Sequence, residues 1–260
     1  MTPRDLVIRR DAAAGIAREA STLAVRLRAE GRGVASLKGA QDFLTEADGA
    51  TERFIRERLG ALFPGELILG EEMGGAVAGV GPIWVLDPID GTSNFARGGD
   101  RWCVSIGMAL GGVAVLGAIA RHAPDEIFAG AKGCGATLNG TPIHAASTSD
   151  LAHATIEIGW SMRRSLRDFH GLAYRIMGAG AGLRVGGSGA LGLVECAVGR
   201  LDGYLELHIN AWDACAAIAI AREAGCWSNA FDSDAWLAEG NPVAVGAPAL
   251  GGWLAELLEH

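Results

Sequence analysis

The run Ile83-Trp84-Val85-Leu86 reads as a buried strand, yet it ends abruptly on two carboxylates, in Asp87-Pro88-Ile89-Asp90-Gly91-Thr92. Charged groups at the end of a core strand need a partner, because an unpaired buried carboxylate is costly. Pro88 fixes its own φ and biases Asp87 to an extended conformation. The chain is then expected to turn there and bring both side chains, with a backbone carbonyl between them, to one point. Carboxylates plus a carbonyl are the hard oxygen ligands that Mg²⁺ or Mn²⁺ takes. Gly91 lets the backbone approach a ligand closely, and the amides that follow can point at an anion. Taken alone, the same residues also read as a Pro-Asp-Gly turn.

Two further acidic clusters sit at the ends of expected core elements. Gly70-Glu71-Glu72 closes the short apolar strand Leu67-Ile68-Leu69, and Ala211-Trp212-Asp213 opens a helix running to Ala224. Separately, these are an acidic turn and a helix N-cap; together with Asp87 and Asp90 they form the constellation a multi-metal site requires. Upstream, Thr45 and Asp48 have the spacing of a capping box. The functional alternative is that Asp48 orients a water through a neighbouring hydroxyl, with Lys38 balancing the charge.

Around these motifs the apolar periodicity predicts an amphipathic helix from about Asp5 to Glu30 and a second through Phe54, Ile55, Leu59 and Leu62, stopped by Pro64-Gly65. Strands Trp102–Leu110 and Val113–Ala120 flank Gly111-Gly112, a pair suited to a two-residue hairpin. Strands at 127–129 and 136–138 extend the meander. From residue 155 onward, strands (155–158, 183–185, 204–207, 243–245) alternate with helices (166–177, 190–198, 212–224 and one at the end). Meanders followed by alternation suggest an α/β chain of layered sheets sandwiched by helices. We expect one domain over 1–260, with an N-terminal half to about 145 and a C-terminal α/β half from about 146.

Composition removes several classes. Half of the residues are hydrophobic and a fifth charged, so the chain carries a substantial core and is too apolar to be disordered. A net charge of −8 without a basic tract makes nucleic acid an unlikely ligand. No apolar run approaches the roughly 20 residues of a membrane span, and charges stand where a signal peptide needs an apolar run, so a cytoplasmic protein without a membrane partner is expected. Five cysteines without a Cys-x-x-Cys pair argue against a disulfide framework or structural zinc.

The motifs Asp42-Phe43-Leu44-Thr45-Glu46-Ala47-Asp48, Gly70-Glu71-Glu72, Asp87-Pro88-Ile89-Asp90-Gly91-Thr92-Ser93-Asn94-Phe95 and Trp212-Asp213-Ala214, in this order, resemble the signature set of the inositol monophosphatase family. Gly187-Ser188-Gly189-Ala190 and Gly199-Arg200-Leu201-Asp202-Gly203-Tyr204 extend the resemblance over nearly the whole chain. It implies an alternating α-β-α-β-α sandwich, hydrolysis of a small phosphorylated metabolite that depends on two or three Mg²⁺ ions (Mn²⁺ as substitute) and is lithium-sensitive, and a homodimer. Glu71, Asp87, the Ile89 carbonyl, Asp90 and Asp213 match the family's metal ligands. Thr92, Asp48 and Glu71 match its water-positioning set, and Lys38 its lysine. The Gly91 and Thr92 amides would hold the phosphate, while Gly187, Ser188, Gly189, Glu206 and Asp213 match positions on the substrate side.

Inositol 1-phosphate is the first expectation for substrate, with histidinol phosphate, fructose 1,6-bisphosphate and 3′-phosphoadenosine 5′-phosphate as alternatives within the family. Asn210, where characterised members often have His, borders the substrate alcohol, and Cys226 replaces a family glycine. Arg163-Arg164 is either a site for a second phosphate or a solvated or interface pair. From another class, the competing reading is a regulatory protein that binds the transcription machinery.

Overall fold

The structure is a computed structural model that describes residues 1–34, 36–39, 42–75, 77 and 81–259, with 36–39 and 42–44 described in backbone only. Helix α1 (Pro3–Leu27) starts on a capping box between Thr2 and Asp5 and runs on through a π-helical turn at Arg28–Arg32. Strands β1 (Ser36–Gly39) and β2 (Asp42–Leu44) pair antiparallel, and α2 (Glu46–Leu62) follows.

Seven strands then form one sheet in chain order: β3 (Leu67–Gly70), β4 (Pro82–Asp90), β5 (Cys103–Leu110), β6 (Val113–Arg121), β7 (Glu126–Ala131), β8 (Ala136–Leu138) and β9 (Thr141–Pro142). Only β3 and β4 run parallel; every later pairing is antiparallel. The β5–β6 hairpin turns at Gly111 and Gly112, both at positive φ (60° and 81°), as the Gly-Gly pair predicts. A short helix α3 (Thr92–Ala96) leads from β4 toward β5.

The second sheet has five strands: β10 (Thr155–Ile158), β11 (Gly182–Arg184), β12 (Gly203–Ile209), β13 (Trp227–Ser228) and β14 (Asn241–Gly246). They lie in the order β11-β10-β12-β14-β13. Helices α4 (Leu166–Gly178), α5 (Gly189–Ala197), α6 (Ala211–Glu223), α7 (Trp236–Glu239) and α8 (Gly251–Leu258) complete the chain.

Three apolar clusters define the layers. Helices α1 and α2 bury Ile16, Ala20, Ile55 and Leu59 against Trp84, Leu86 and Ile106 on one face of the first sheet. The other face, with Ile83, Val85 and Ile119, packs on Leu191, Val194, Ala217 and Ile220 of α5 and α6, which also cover Tyr204, Val243 and Val245 of the second sheet. Helices α4 and α8 close the far side around Ile156, Leu205 and Leu254. The result is the α-β-α-β-α sandwich expected from the sequence.

The central layer is seated unusually close. Gly107, Gly117 and Gly130 stand opposite one another across β5, β6 and β7. A Cβ on Gly117 would fall 2.1 Å from the Ala216 carbonyl oxygen, and one on Gly107 2.7 Å from the Ala216 nitrogen. This glycine trench receives the alanine-rich face of α6. An ion network joins the two halves beside it: Arg101 bonds both oxygens of Glu157 (2.7 and 2.6 Å) and both of Glu195 (3.1 Å each), and Arg184 pairs with the same two glutamates.

Candidate active site

The site begins with an irregularity in β4. Asp87 pairs with Ser105 and Asp90 with Cys103, so three steps along β4 match two along β5. That extra residue is a β-bulge. Side chains three apart on a regular strand point to opposite faces; here the bulge restores the parity. Trp84, Leu86 and Ile89 all join the cluster under α1 and α2, whereas Asp87 and Asp90 both reach the side of α5 and α6. The expected turn at Pro88 is therefore this bulge, and β4 continues through Asp90. Proline, which lacks the ladder N–H, is tolerated in a central strand at such a point.

Seated in the glycine trench, α6 delivers Asp213 to the same place. One carboxylate oxygen from each of Asp87, Asp90 and Asp213 lies within 4.8 Å of the others. Asp213 is not an N-cap, the alternative reading of its place at the helix start. Asn210 is, and Asp213 sits at the third helical position, its Oδ2 accepting from the Asn210 backbone N–H at 3.2 Å. Asp90 is held by the start of α5: the amides of Gly189 and Ala190 donate to it at 3.2 and 2.9 Å, and the Ser188 hydroxyl donates to Oδ2.

The cluster is electrostatically unsatisfied. Burial, then the charges of Glu71, Asp90 and Asp213, push the Asp87 carboxyl well above the usual carboxylate range. Desolvation first and the Asp90 charge second lift Asp213 to about 7, and burial raises Asp90 despite the donors from Ser188, Ala190, Gly189 and the Cys103 thiol. Among the described residues, no Arg or Lys forms an ion pair with any of the three. A pocket of hard oxygen donors carrying uncompensated negative charge fits a divalent cation such as Mg²⁺ or Mn²⁺.

Asp48, fully buried on α2, serves two elements at once. Its Oδ2 accepts from the Thr45 amide (2.8 Å) and hydroxyl (2.5 Å), closing the capping box, while Oδ1 lies 3.1 Å from Thr92 Oγ1. The capping box is thus formed, and the same carboxylate also reaches a neighbouring hydroxyl. The Thr92 hydroxyl has a second acceptor in the Ile89 carbonyl at 2.9 Å. Gly91, at φ 92°, turns the chain from β4 into α3; a Cβ there would lie 2.8 Å from the Arg101 carbonyl oxygen. Glu71 follows β3, its amide donating to the Leu86 carbonyl at 3.1 Å, next to Asp87.

On the far side, Gly187 (φ 74°) and Ser188 lead into α5, with Ser188 as its N-cap. Buried Glu206 accepts from Tyr204 Oη at 2.7 Å, and burial, then the charges of Asp213 and Asp90, outweigh that bond and raise it to about 8. The Arg163 charge acts on Glu206, while Arg164 donates to the Leu207 carbonyl. The Lys38 side chain lies outside the described residues. Ser93 and Asn94 of the Asp-Gly-Thr-Ser-Asn motif carry no role in the sequence reading; the Asn94 amide donates to the carbonyls of Arg101 (2.9 Å) and Gly186 (3.0 Å), clasping the α3 loop to the turn before α5.

Solved structures share this architecture. The extragenic suppressor protein SuhB of Bartonella henselae superposes with a TM-score of 0.88 at 27% identity, covering 96% of this chain and 97% of that one. A family profile, the inositol monophosphatase family, matches residues 7–260. An inositol-1-monophosphatase from Synechocystis is 37% identical over 74% of this chain and 68% of its own length. A fructose-1,6-bisphosphatase/inositol-1-monophosphatase from Aquifex aeolicus is 34% identical over 72% of each. The fold is that of this class of phosphoric monoester hydrolases. The chain belongs to the inositol monophosphatase family.

Proposed function

We propose that the protein hydrolyses a small phosphomonoester, inositol 1-phosphate first among the candidates, with Mg²⁺ held by Glu71, Asp87, the Ile89 carbonyl, Asp90 and Asp213. The observation that carries this reading is the meeting of Asp87 and Asp90 from one sheet with Asp213 from the central helix layer, beside the Asp48–Thr92 pair. Bound divalent ions supply charge neutralisation of the phosphate, acidification of water and stabilisation of the departing oxygen.

The protein's own groups then do the positioning. With its proton directed to Asp48, the Thr92 hydroxyl turns its lone pairs outward, where they accept from a water; Glu71 provides a second acceptor, so the water's lone pair is aimed along a fixed line. The Gly91 and Thr92 amides hold the phosphate. Gly187, Ser188, Gly189 and Glu206 face the alcohol portion, where Glu206 exchanges hydrogen bonds with hydroxyl groups. Lys38 balances the charge near Asp48. We further take the chain to act as one domain, as a cytoplasmic homodimer inhibited by lithium.

A bisphosphate is the second substrate reading, favoured by the name of the Aquifex relative and by the Arg163 charge next to Glu206. Phosphate release from inositol 1-phosphate, histidinol phosphate, fructose 1,6-bisphosphate, 3′-phosphoadenosine 5′-phosphate and glycerol phosphate, with Mg²⁺, with chelator and with lithium, tests both. Dominant turnover of inositol 1-phosphate that chelator abolishes supports the first reading. Turnover of none in any metal overturns both.

A further inference from the structure

Glu52 is as deeply buried as any side chain in α2, with no exposed surface, yet the reaction outlined above does not use it. A carboxylate in that position costs free energy unless donors surround it. It has three: the amides of Glu72 (2.8 Å) and Met73 (3.2 Å), and Arg56 Nε (2.7 Å) from one helical turn further on. Arg56 also donates to the Gly74 carbonyl, and Gly70 and Gly74 exchange backbone hydrogen bonds at 3.0 Å each. Glu52 therefore fills the turn Gly70–Gly74 from inside, and that turn presents Glu71.

Gly70 fits the same account. A Cβ there would sit 2.2 Å from Glu52 Oε1 and 2.5 Å from its carboxyl carbon, so the glycine before Glu71 is what admits the Glu52 carboxylate to the turn. Packing α2 on the sheet does not need a charge at position 52; satisfying two inward-facing amides does. Arg56 offsets a negative charge that would otherwise add to those of Asp48 and Glu71.

We propose that Glu52, seated by Arg56, is the positioning residue for Glu71. Asp48, Glu52 and Arg56 follow one another at four-residue steps, so they share one face of α2. Through Asp48 that face fixes Thr92, and through Glu52 and Arg56 it fixes residues 72–74. The helix acts as a ruler, setting the two acceptors that aim the water at a constant separation. This rests on the role given to Glu71 under the proposed function.

The test is a double-mutant cycle on the full chain. Glu52→Gln keeps the shape but turns an N–H donor toward an amide and leaves the Arg56 guanidinium without its counter-charge. It is expected to lower kcat about 10²-fold with little change in KM, and to weaken Mn²⁺ binding, read from the paramagnetic resonance of free Mn²⁺, about tenfold. In a Glu71→Gln background the same change should cost less than about threefold further, because it acts through a residue already disabled. Multiplying effects in the double variant, or wild-type kcat and Mn²⁺ affinity in Glu52→Gln, overturn the proposal while leaving the role of Glu71 intact. Full activity of Glu71→Gln alone overturns the role of Glu71, and this proposal with it. Should Glu52→Gln not fold, Gly70→Ala and Arg56→Gln disturb the same seat from its two sides; wild-type kcat in both also overturns it.

Discussion

Asp48 Oδ1 lies 3.1 Å from Thr92 Oγ1 while the other oxygen of the same carboxylate caps α2 at Thr45. One side chain thus couples the start of a helix to the hydroxyl assigned to water positioning. The two duties are separable by mutation. Thr92→Val is expected to lower kcat by at least about 10²-fold while leaving the α2 cap in place, with a stability cost of about 1 kcal/mol for the donor lost to Asp48. Thr45→Ala is expected to cost about 1 kcal/mol of stability, as lost caps do. Steady-state kinetics and urea unfolding on both variants check the division.

The three converging carboxylates repel one another when no cation is present. Asp213→Asn keeps an oxygen for the Asn210 amide and removes one charge. In chelator the variant is expected to be more stable than the parent by about 1 kcal/mol, or roughly 2–4 °C for a chain of this size, and to be inactive in Mg²⁺. Thermal melts with and without Mg²⁺ decide it: a lower melting temperature in chelator would contradict the repulsion.

Asp232 supplies a pH signature away from the site. Burial raises its pKa, but two bonds from Arg222 (2.7 and 2.9 Å), that guanidinium's charge and the Ala114 amide lower it more, leaving it below the usual value. A carboxylate whose folded pKa is depressed stabilises above its unfolded pKa, and the contribution fades as pH falls through the folded value. Asp232→Asn should therefore cost about 1 kcal/mol at pH 7, with the difference from the parent shrinking below about pH 4. Urea unfolding across pH 3–7 measures it.

Arg101 and Arg184 share Glu157 and Glu195 between them. Arg101→Met should cost about 2 kcal/mol, less than breaking an isolated buried pair because Arg184 stays behind. Adding Arg184→Met should cost more than the sum of the single changes, since it strands a glutamate that is 1% exposed. A denaturant double-mutant cycle reads this directly.

The elements were legible wherever apolar periodicity was strong. α1, α2, the β5–β6 hairpin and the alternating second half stand close to their expected bounds; the order of the layers was implied by the family resemblance rather than by periodicity. What periodicity does not encode was missed. The bulge that puts Asp87 and Asp90 on one face depends on pairing with β5, and a linear reading of Pro88 suggests a turn instead. The trench of Gly107, Gly117 and Gly130 looks like scattered glycine until the strands are in register. Glu52 has no distinguishing mark in the sequence, because its partners, the amides of Glu72 and Met73, lie about twenty residues on and carry no side-chain signal.

The acidic centre draws on β4 and on α6, separated by 120 residues, and the glycine trench seats one against the other. A nascent chain that has not yet extended past Asp213 owns the bulged strand and the Asp48–Thr92 pair but cannot complete the cluster. Convergence of the three carboxylates therefore waits on the α6 segment, whatever else of the first sheet has already formed.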